Sequence, residues 1–284
     1  MDSLKVPLAD PSGICHTYID PDHVVAYALA TNDENPLYLE GLAVPPVFAA
    51  VVAWKAFWGV PPIPEEALAG TVGGVHGEHD IRIHKPVEVG GWCHTVGELH
   101  AVVCSSAGMN VYMRLSTTDD DGAEVLEQYW SLLHRGRVTG GNRGTPPPDH
   151  TFPAEARSRP TGSALLETTR DQTFRYAGVS GDHNPMHVND EAARSRGFPR
   201  KVNQGLCTLG IVSRGLVDLT AAGDPRRVRR IAVRFSSPVF PGDPIELSVY
   251  DNATDSENSH SYAFEAASNG GVVLRPGLVE VLDV

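Results

Sequence analysis

The chain has 284 residues, 41% of them hydrophobic and 20% charged, with 23 Lys and Arg against 35 Asp and Glu. That length fills two ordinary domains or one large one, and the composition is that of a folded protein, not a disordered chain. The formal net charge of −12 excludes a general nucleic-acid binder, which needs a basic surface to displace counterions.

Met1 to Lys5 show no basic region leading into an apolar stretch, so no signal peptide is visible. The longest apolar run, Leu42 to Trp54, is 13 residues long and holds Pro45 and Pro46. It falls short of the roughly 20 residues needed to cross a bilayer. Cys15, Cys93, Cys104 and Cys207 are scattered, without a paired or metal-ligand spacing. A reducing, cytoplasmic setting with no membrane partner is the expectation.

In chain order, Asp20 and Pro21 offer an N-cap and a first-turn proline for a helix over His23 to Ala30. A loop through Asn35-Pro36 follows, because the residue before proline is driven out of helical geometry. The run Val47 to Trp58 is apolar almost all round, as a helix buried within a sheet should be. Strands are expected around Ile81 and Ile83, then over Val96 to Val103, Val111 to Leu115 and Val125 to Leu133. Residues 137–163 shift to Gly, Pro, Arg and Ser, including three consecutive prolines from Pro146. This stretch reads as a linker between a domain over 1–136 and another over 164–284. Beyond it, Asp171 is placed to cap a helix over Gln172 to Val179, and Gly205 opens a second apolar helix reaching Leu219. Alternating residues around Ile245 to Val249 and Tyr262 to Ala266, and the run Leu278 to Leu282, complete the strands.

The two halves repeat one another. Tyr27 to Tyr38 aligns without gaps to Tyr176 to His187 at an offset of 149, sharing Tyr, Ala, Asp, Asn and Pro. Arg82, Pro86, Val87 and Gly90 then match Arg234, Pro238, Val239 and Gly242 at an offset of 152. One buried helix and four antiparallel strands, twice over, is an α+β plan in which each sheet wraps a central helix.

Duplication separates scaffold from chemistry. Shared Asp and Asn side chains have a first explanation in a common turn. The second copy alone carries Ser180, Gly181 and His187, where the first has Thr31, Asn32 and Tyr38. Asp182 and His187 flank an Asn-Pro turn, and a carboxylate beside an imidazole suits general acid–base work near neutral pH. The bland alternative is an Asx turn with an incidental histidine. Gly205 leaves backbone donors free at the positive end of its helix, suited to a developing oxyanion, or else serves close packing alone. Ten basic residues against two acids between Arg194 and Arg234 suggest a small polyanion, or a solvated arginine-rich face.

The run Tyr176 to Gly210, with Val233 to Asp243 after it, resembles the MaoC-like (R)-specific enoyl-CoA hydratases, also called hydratase 2. The whole chain is similar to their double-hotdog members, in which a degenerate N-terminal hotdog precedes a catalytic C-terminal one. The resemblance implies reversible hydration of a trans-2-enoyl-CoA to a (3R)-hydroxyacyl-CoA, with no cofactor beyond the thioester substrate. It assigns Asp182 and His187 to water activation, Asn184 to their orientation, Ser180 to the same loop, and the Gly205 N–H to the thioester oxygen. Arg200, Lys201 and Arg234 are candidates for the coenzyme A phosphates, and Phe48, Trp54 and Phe57 for an acyl tunnel; an ordinary core helix is the alternative for the last three. Two such chains associating as a homodimer is part of the same expectation. This sequence departs from the family at Gln204, where a histidine usually precedes the glycine.

Two further classes stay open: another thioester enzyme (a thioesterase or a carrier-protein dehydratase) and a non-catalytic acyl-CoA-binding subunit. His76, His79, His84, His94 and His100 are dense, but strand alternation puts His76 and His79 on opposite faces and no carboxylate or thiol completes a metal set. No metal is expected.

Overall fold

The computed structural model describes residues 11–106, 108–136, 141–256 and 258–283. The first ten residues and positions 137–140 of the expected linker lie outside it. The first half runs β1 (Cys15–Tyr18), α1 (Pro21–Ala30), α2 (Pro36–Leu39), α3 (Ala49–Gly59), β2 (Thr71–Ile83), β3 (Trp92–Ser105), β4 (Gly108–Thr118) and β5 (Glu124–Gly136). The second runs β6 (Pro160–Leu166), α4 (Gln172–Ser180), α5 (Pro185–Val188), α6 (Asp190–Ser195), α7 (Gly205–Thr220), β7 (Val228–Phe235), β8 (Ile245–Ser256), β9 (Ser259–Ser268) and β10 (Gly271–Leu282). Apart from α6, the two halves match element for element.

The described strands form one antiparallel sheet in the order β1-β3-β4-β5-β2-β7-β10-β9-β8-β6. That order is the same from either end, with β2 against β7 at its centre. The repeat offset of 152 makes Asp80 and Ala232 equivalent, and these two residues face one another across the β2–β7 junction. A pseudo-twofold axis therefore passes between them, as at the self-complementary interface of a symmetric dimer. The antiparallel sheet with its buried helices is the expected α+β plan.

Local chemistry explains the helices. Asp20 accepts from the N–H groups of Asp22 and His23, and Pro21 opens α1. Helices α3 and α7 are buried along most of their length, and glycine sets how closely α7 approaches the first half. A Cβ on Gly210 would stand 2.8 Å from the Thr31 methyl group.

Five expectations need correction. A strand precedes the helices of each half, and β6 begins at Pro160, inside the stretch read as linker. Its pairing with β8 overrides the local composition. The Asn-Pro segments are not irregular loops: Asn35 and Asn184 cap the one-turn helices α2 and α5, with proline at the first position. Asp171 makes no capping bond to α4; its carboxylate takes the Thr169 hydroxyl instead. His76 and His79 do not lie apart, because a register shift in β2 between them brings His76 Nε2 to 3.2 Å from His79 Nδ1. Arg234 does not stand with Arg200 and Lys201, because it pairs with Glu78 across the β2–β7 junction.

Candidate active site

The chemistry collects on the turn between α4 and α5. Gly181 ends α4 with φ +79°, a left-handed conformation that costs an ordinary L-residue about 1–2 kcal/mol. The first half has Asn32 there, also left-handed at φ +58°, the next most tolerant residue type. From this bend the Asp182 N–H reaches Ser180 Oγ at 3.2 Å, and Asp182 Oδ1 accepts the Asn184 N–H at 3.2 Å. Asn184 thus steadies the carboxylate through its backbone, while its side chain caps α5.

One turn of α5 then places His187 Nε2 3.8 Å from Asp182 Oδ2. His187 is buried at 5% exposure, and its Nδ1 lies 2.8 Å from the Val202 carbonyl. A carbonyl accepts only, so Nδ1 carries the proton and Nε2 presents a lone pair toward the carboxylate. Burial pushes the imidazole below its ordinary pKa, with the Asp182 charge opposing that shift. The neutral form is therefore the resting one near pH 7.

Two acceptors at 3.8 Å cannot bond to each other. A water molecule, with two O–H donors, satisfies both. A small cavity of about 10 Å³ adjoins Asp182 and Ser180, walled by Ala50, Val51, Trp54, Tyr176 and Leu206. That is close to the least room one water needs.

Gly205 begins α7, and the next residue, Leu206, lines this cavity. Gln204 precedes Gly205 without a side-chain cap, so the first N–H groups of α7 stay available at the positive end of the helix. The Gln204 amide has another task. It is 1% exposed and donates to the backbone carbonyls of Thr173, at 3.1 Å, and Asp182, at 3.3 Å. It ties the helix start to the turn that carries Asp182. The Val202 carbonyl and Gln204 are positioning groups that residue type alone does not reveal.

The cationic segment does not form one face. Arg200, Lys201 and Arg170 line a cavity of about 360 Å³ together with Asp190 and Asp243. Lys201 directly precedes the residue that holds His187. Arg170 went unnoticed in the sequence because it lies 30 residues upstream, outside the basic run. Arg234 belongs elsewhere. It faces Glu78 across the junction and its Nε lies 2.8 Å from that carboxylate, so it does not join the other two. Arg230 is likewise held by Asp80 and Glu280.

Of the residues considered for an acyl tunnel, only Trp54 reaches the site. Phe48 is buried edge-on against Tyr27 and His23, and Phe57 stacks on Trp130 with centroids 4.2 Å apart. Neither ring lines the cavity beside Asp182. Among the described residues no three His, Cys, Asp or Glu side chains are arranged to hold a metal ion, and no helix is long and apolar enough to cross a membrane.

The first half repeats the turn without the chemistry. Asp33 accepts the Asn35 N–H at 3.0 Å, and burial pushes its carboxyl up to about 6. Tyr38, fully buried, stands where His187 stands in the second half.

The family model for the MaoC like domain matches residues 152–266. The 3-hydroxyacyl-thioester dehydratase Y of Mycobacterium tuberculosis is 32% identical over 214 residues, covering 72% of each chain. The peroxisomal enoyl-CoA hydratase 2 of Arabidopsis thaliana is 43% identical over 180 residues, 60% of this chain and 58% of that one. A MaoC-like dehydratase from Phytophthora capsici superposes with a TM-score of 0.80 at 23% identity, over 99% of this chain and 97% of that one. A Mycobacterium tuberculosis protein with a double hotdog fold follows at a TM-score of 0.62 and 14% identity, over 99% and 96%. Matched along its second half by the family model and across most of its length by a dehydratase of like size, the chain belongs to the MaoC-like dehydratase family, on a double hotdog frame.

Proposed function

We propose that the chain is an (R)-specific enoyl-CoA hydratase acting reversibly as a 3-hydroxyacyl-CoA dehydratase, with one site per chain in the second half. The observation that carries this reading is the Asp182–His187 pair, whose two acceptors stand 3.8 Å apart with His187 Nδ1 held by a backbone carbonyl. A water between them gives a proton to the pair as its oxygen adds to C3 of the enoyl thioester. The proton returned to C2 completes the addition, so neither oxidant nor reductant is consumed, and the reaction as written needs only water and the thioester. Charge that gathers on the thioester oxygen falls to the Gly205 N–H, a type of donor worth about 2.7–4 kcal/mol at a developing oxyanion. Ser180 and Asn184 keep Asp182 in place.

Arg170, Arg200 and Lys201 are the groups that would meet the coenzyme A phosphates. Arg200 already bonds Asp243, and Lys201 already pairs with Asp190, so the phosphates would compete with these carboxylates. Cytoplasmic residence and association of two chains belong to the same proposal; light scattering on purified protein tests the second.

The decisive experiment follows the loss of enone absorbance with crotonyl-CoA and resolves the product on a chiral column. The (3R)-hydroxyacyl product is expected, and Asp182→Asn should lower kcat by about 10²–10⁴. Free thiol release instead would mark a thioesterase. Full activity in Asp182→Asn would remove the carboxylate from the mechanism.

A further inference from the structure

The turn that carries Asp182 is braced from the first half of the chain. It begins where α4 ends, and the last four carbonyls of a helix have no intrahelical donor. Val179 supplies one of them. The N–H groups that could serve it are committed elsewhere: the Asp182 N–H reaches Ser180 Oγ at 3.2 Å, and the His183 N–H reaches the Gly181 carbonyl at 3.1 Å. The donor comes instead from α1, where His23 Nε2 lies 2.6 Å from the Val179 oxygen. A carbonyl only accepts, so Nε2 carries the proton.

The same bond runs in reverse on the other side of the pseudo-twofold axis. At the offset of 149, His23 corresponds to Gln172 and Val179 to Ala30, and the Gln172 side-chain amide donates to the Ala30 carbonyl. Each half thus holds the last turn of the other's helix, two residues before the left-handed position, Gly181 in one copy and Asn32 in the other. Only the bond from His23 bears on a turn that leads to a histidine. The His23 ring also stands edge-on to Phe48, with centroids 5.2 Å apart. A second side chain of the first half backs the bend itself: Trp54 Nε1 lies 3.2 Å from the point a Cβ on Gly181 would occupy. Asp182 lies three residues beyond Val179, whereas His187 is held by a different carbonyl, that of Val202. Freeing the Val179 carbonyl therefore lets the carboxylate shift relative to the imidazole.

We infer that His23 is a positioning residue for the hydration reaction, contributed by the half that lacks the acid–base histidine; the inference rests on the hydratase reading above. The test measures kcat and KM for crotonyl-CoA, together with the melting temperature, in the wild type, His23→Phe and His23→Gln. His23→Phe keeps a ring against Phe48 and removes the donor. It should lower kcat by about tenfold or more and leave KM within about twofold, because the cations of the phosphate cavity are untouched. His23→Gln loses the ring and keeps a donor of the kind Gln172 provides, so it should retain most of the wild-type kcat even where its melting temperature falls. His23→Leu, with neither ring nor donor, should match His23→Phe in kcat, and carries the test if the phenylalanine variant fails to fold. Wild-type kcat in the folded variants without a donor, or an equal loss in His23→Gln, would overturn the inference and leave the hydratase reading standing. Absence of turnover by the wild type would overturn both.

Discussion

His187 owes its role to one backbone carbonyl. With Nδ1 held by Val202 its Nε2 is an acceptor, and burial keeps the ring neutral by lowering its pKa. In the proposed mechanism the neutral form is the one that accepts a proton from water. Activity should hold as the pH falls toward the ordinary imidazole value of about 6.5 and be lost only below it, as the depressed pKa is passed. A kcat/KM profile in wild type and Asp182→Asn checks this. Loss of the carboxylate removes the charge that favours imidazolium, so the acid limb of the residual activity should move lower still. At the cationic cavity, Arg170→Ala should raise KM for crotonyl-CoA and leave kcat nearly unchanged. The same variant should treat a pantetheine thioester, which lacks the nucleotide phosphates, as the wild type does.

The turn and its flanking helices show how much of the site is legible at the scale of an element. The repeated Asn-Pro motif, present in one copy with histidine and in the other with tyrosine, singles out Asp182 and His187 because only the second combination is chemically useful. The αL bend at Gly181 is a matter of backbone geometry that a sequence hints at through glycine alone. Gly181→Ala should destabilise the protein by about 1–2 kcal/mol for the left-handed conformation, with a further loss as the new methyl meets Trp54. Thermal unfolding measures the total, and a lowered kcat for crotonyl-CoA would report displacement of Asp182. Strand periodicity failed locally at His76 and His79, since alternation holds only while register holds. Gly77 sits at that irregularity, and a Cβ there would stand 2.7 Å from Ser131 Oγ.

Across the whole molecule, two hotdog halves act as a fused dimer joined along β2 and β7. The junction carries ion pairs between the halves: Arg230 holds Asp80 through Nε at 2.9 Å and Nη2 at 2.9 Å, both partners largely buried. Removing Arg230 leaves Asp80 to Arg82, 3.3 Å away, so Arg230→Met should cost less than the roughly 3–5 kcal/mol of a wholly stranded buried charge. Urea unfolding at pH 7 gives the value, and Arg230→Met with Asp80→Leu together should recover part of it. The same junction explains why the basic run misled as a single ligand face. Its β7 arginines serve the joint, whereas Arg200 and Lys201, on the loop before α7, meet Arg170 in the cavity.

The sequence by itself determined the duplication, the α+β plan, the two buried helices, the second of them opened by Gly205, and the second-half segment with Asp182 and His187. Each of these is written in local composition, periodicity or the comparison of one copy with the other. Only the tertiary structure decided which carbonyl fixes the imidazole, which arginines share a cavity and which rings stand behind the site. Some of those partners lie far apart in the chain, as Trp54 and Gly181 do, and others meet through loop geometry, as His187 and the Val202 carbonyl do; no local pattern encodes either.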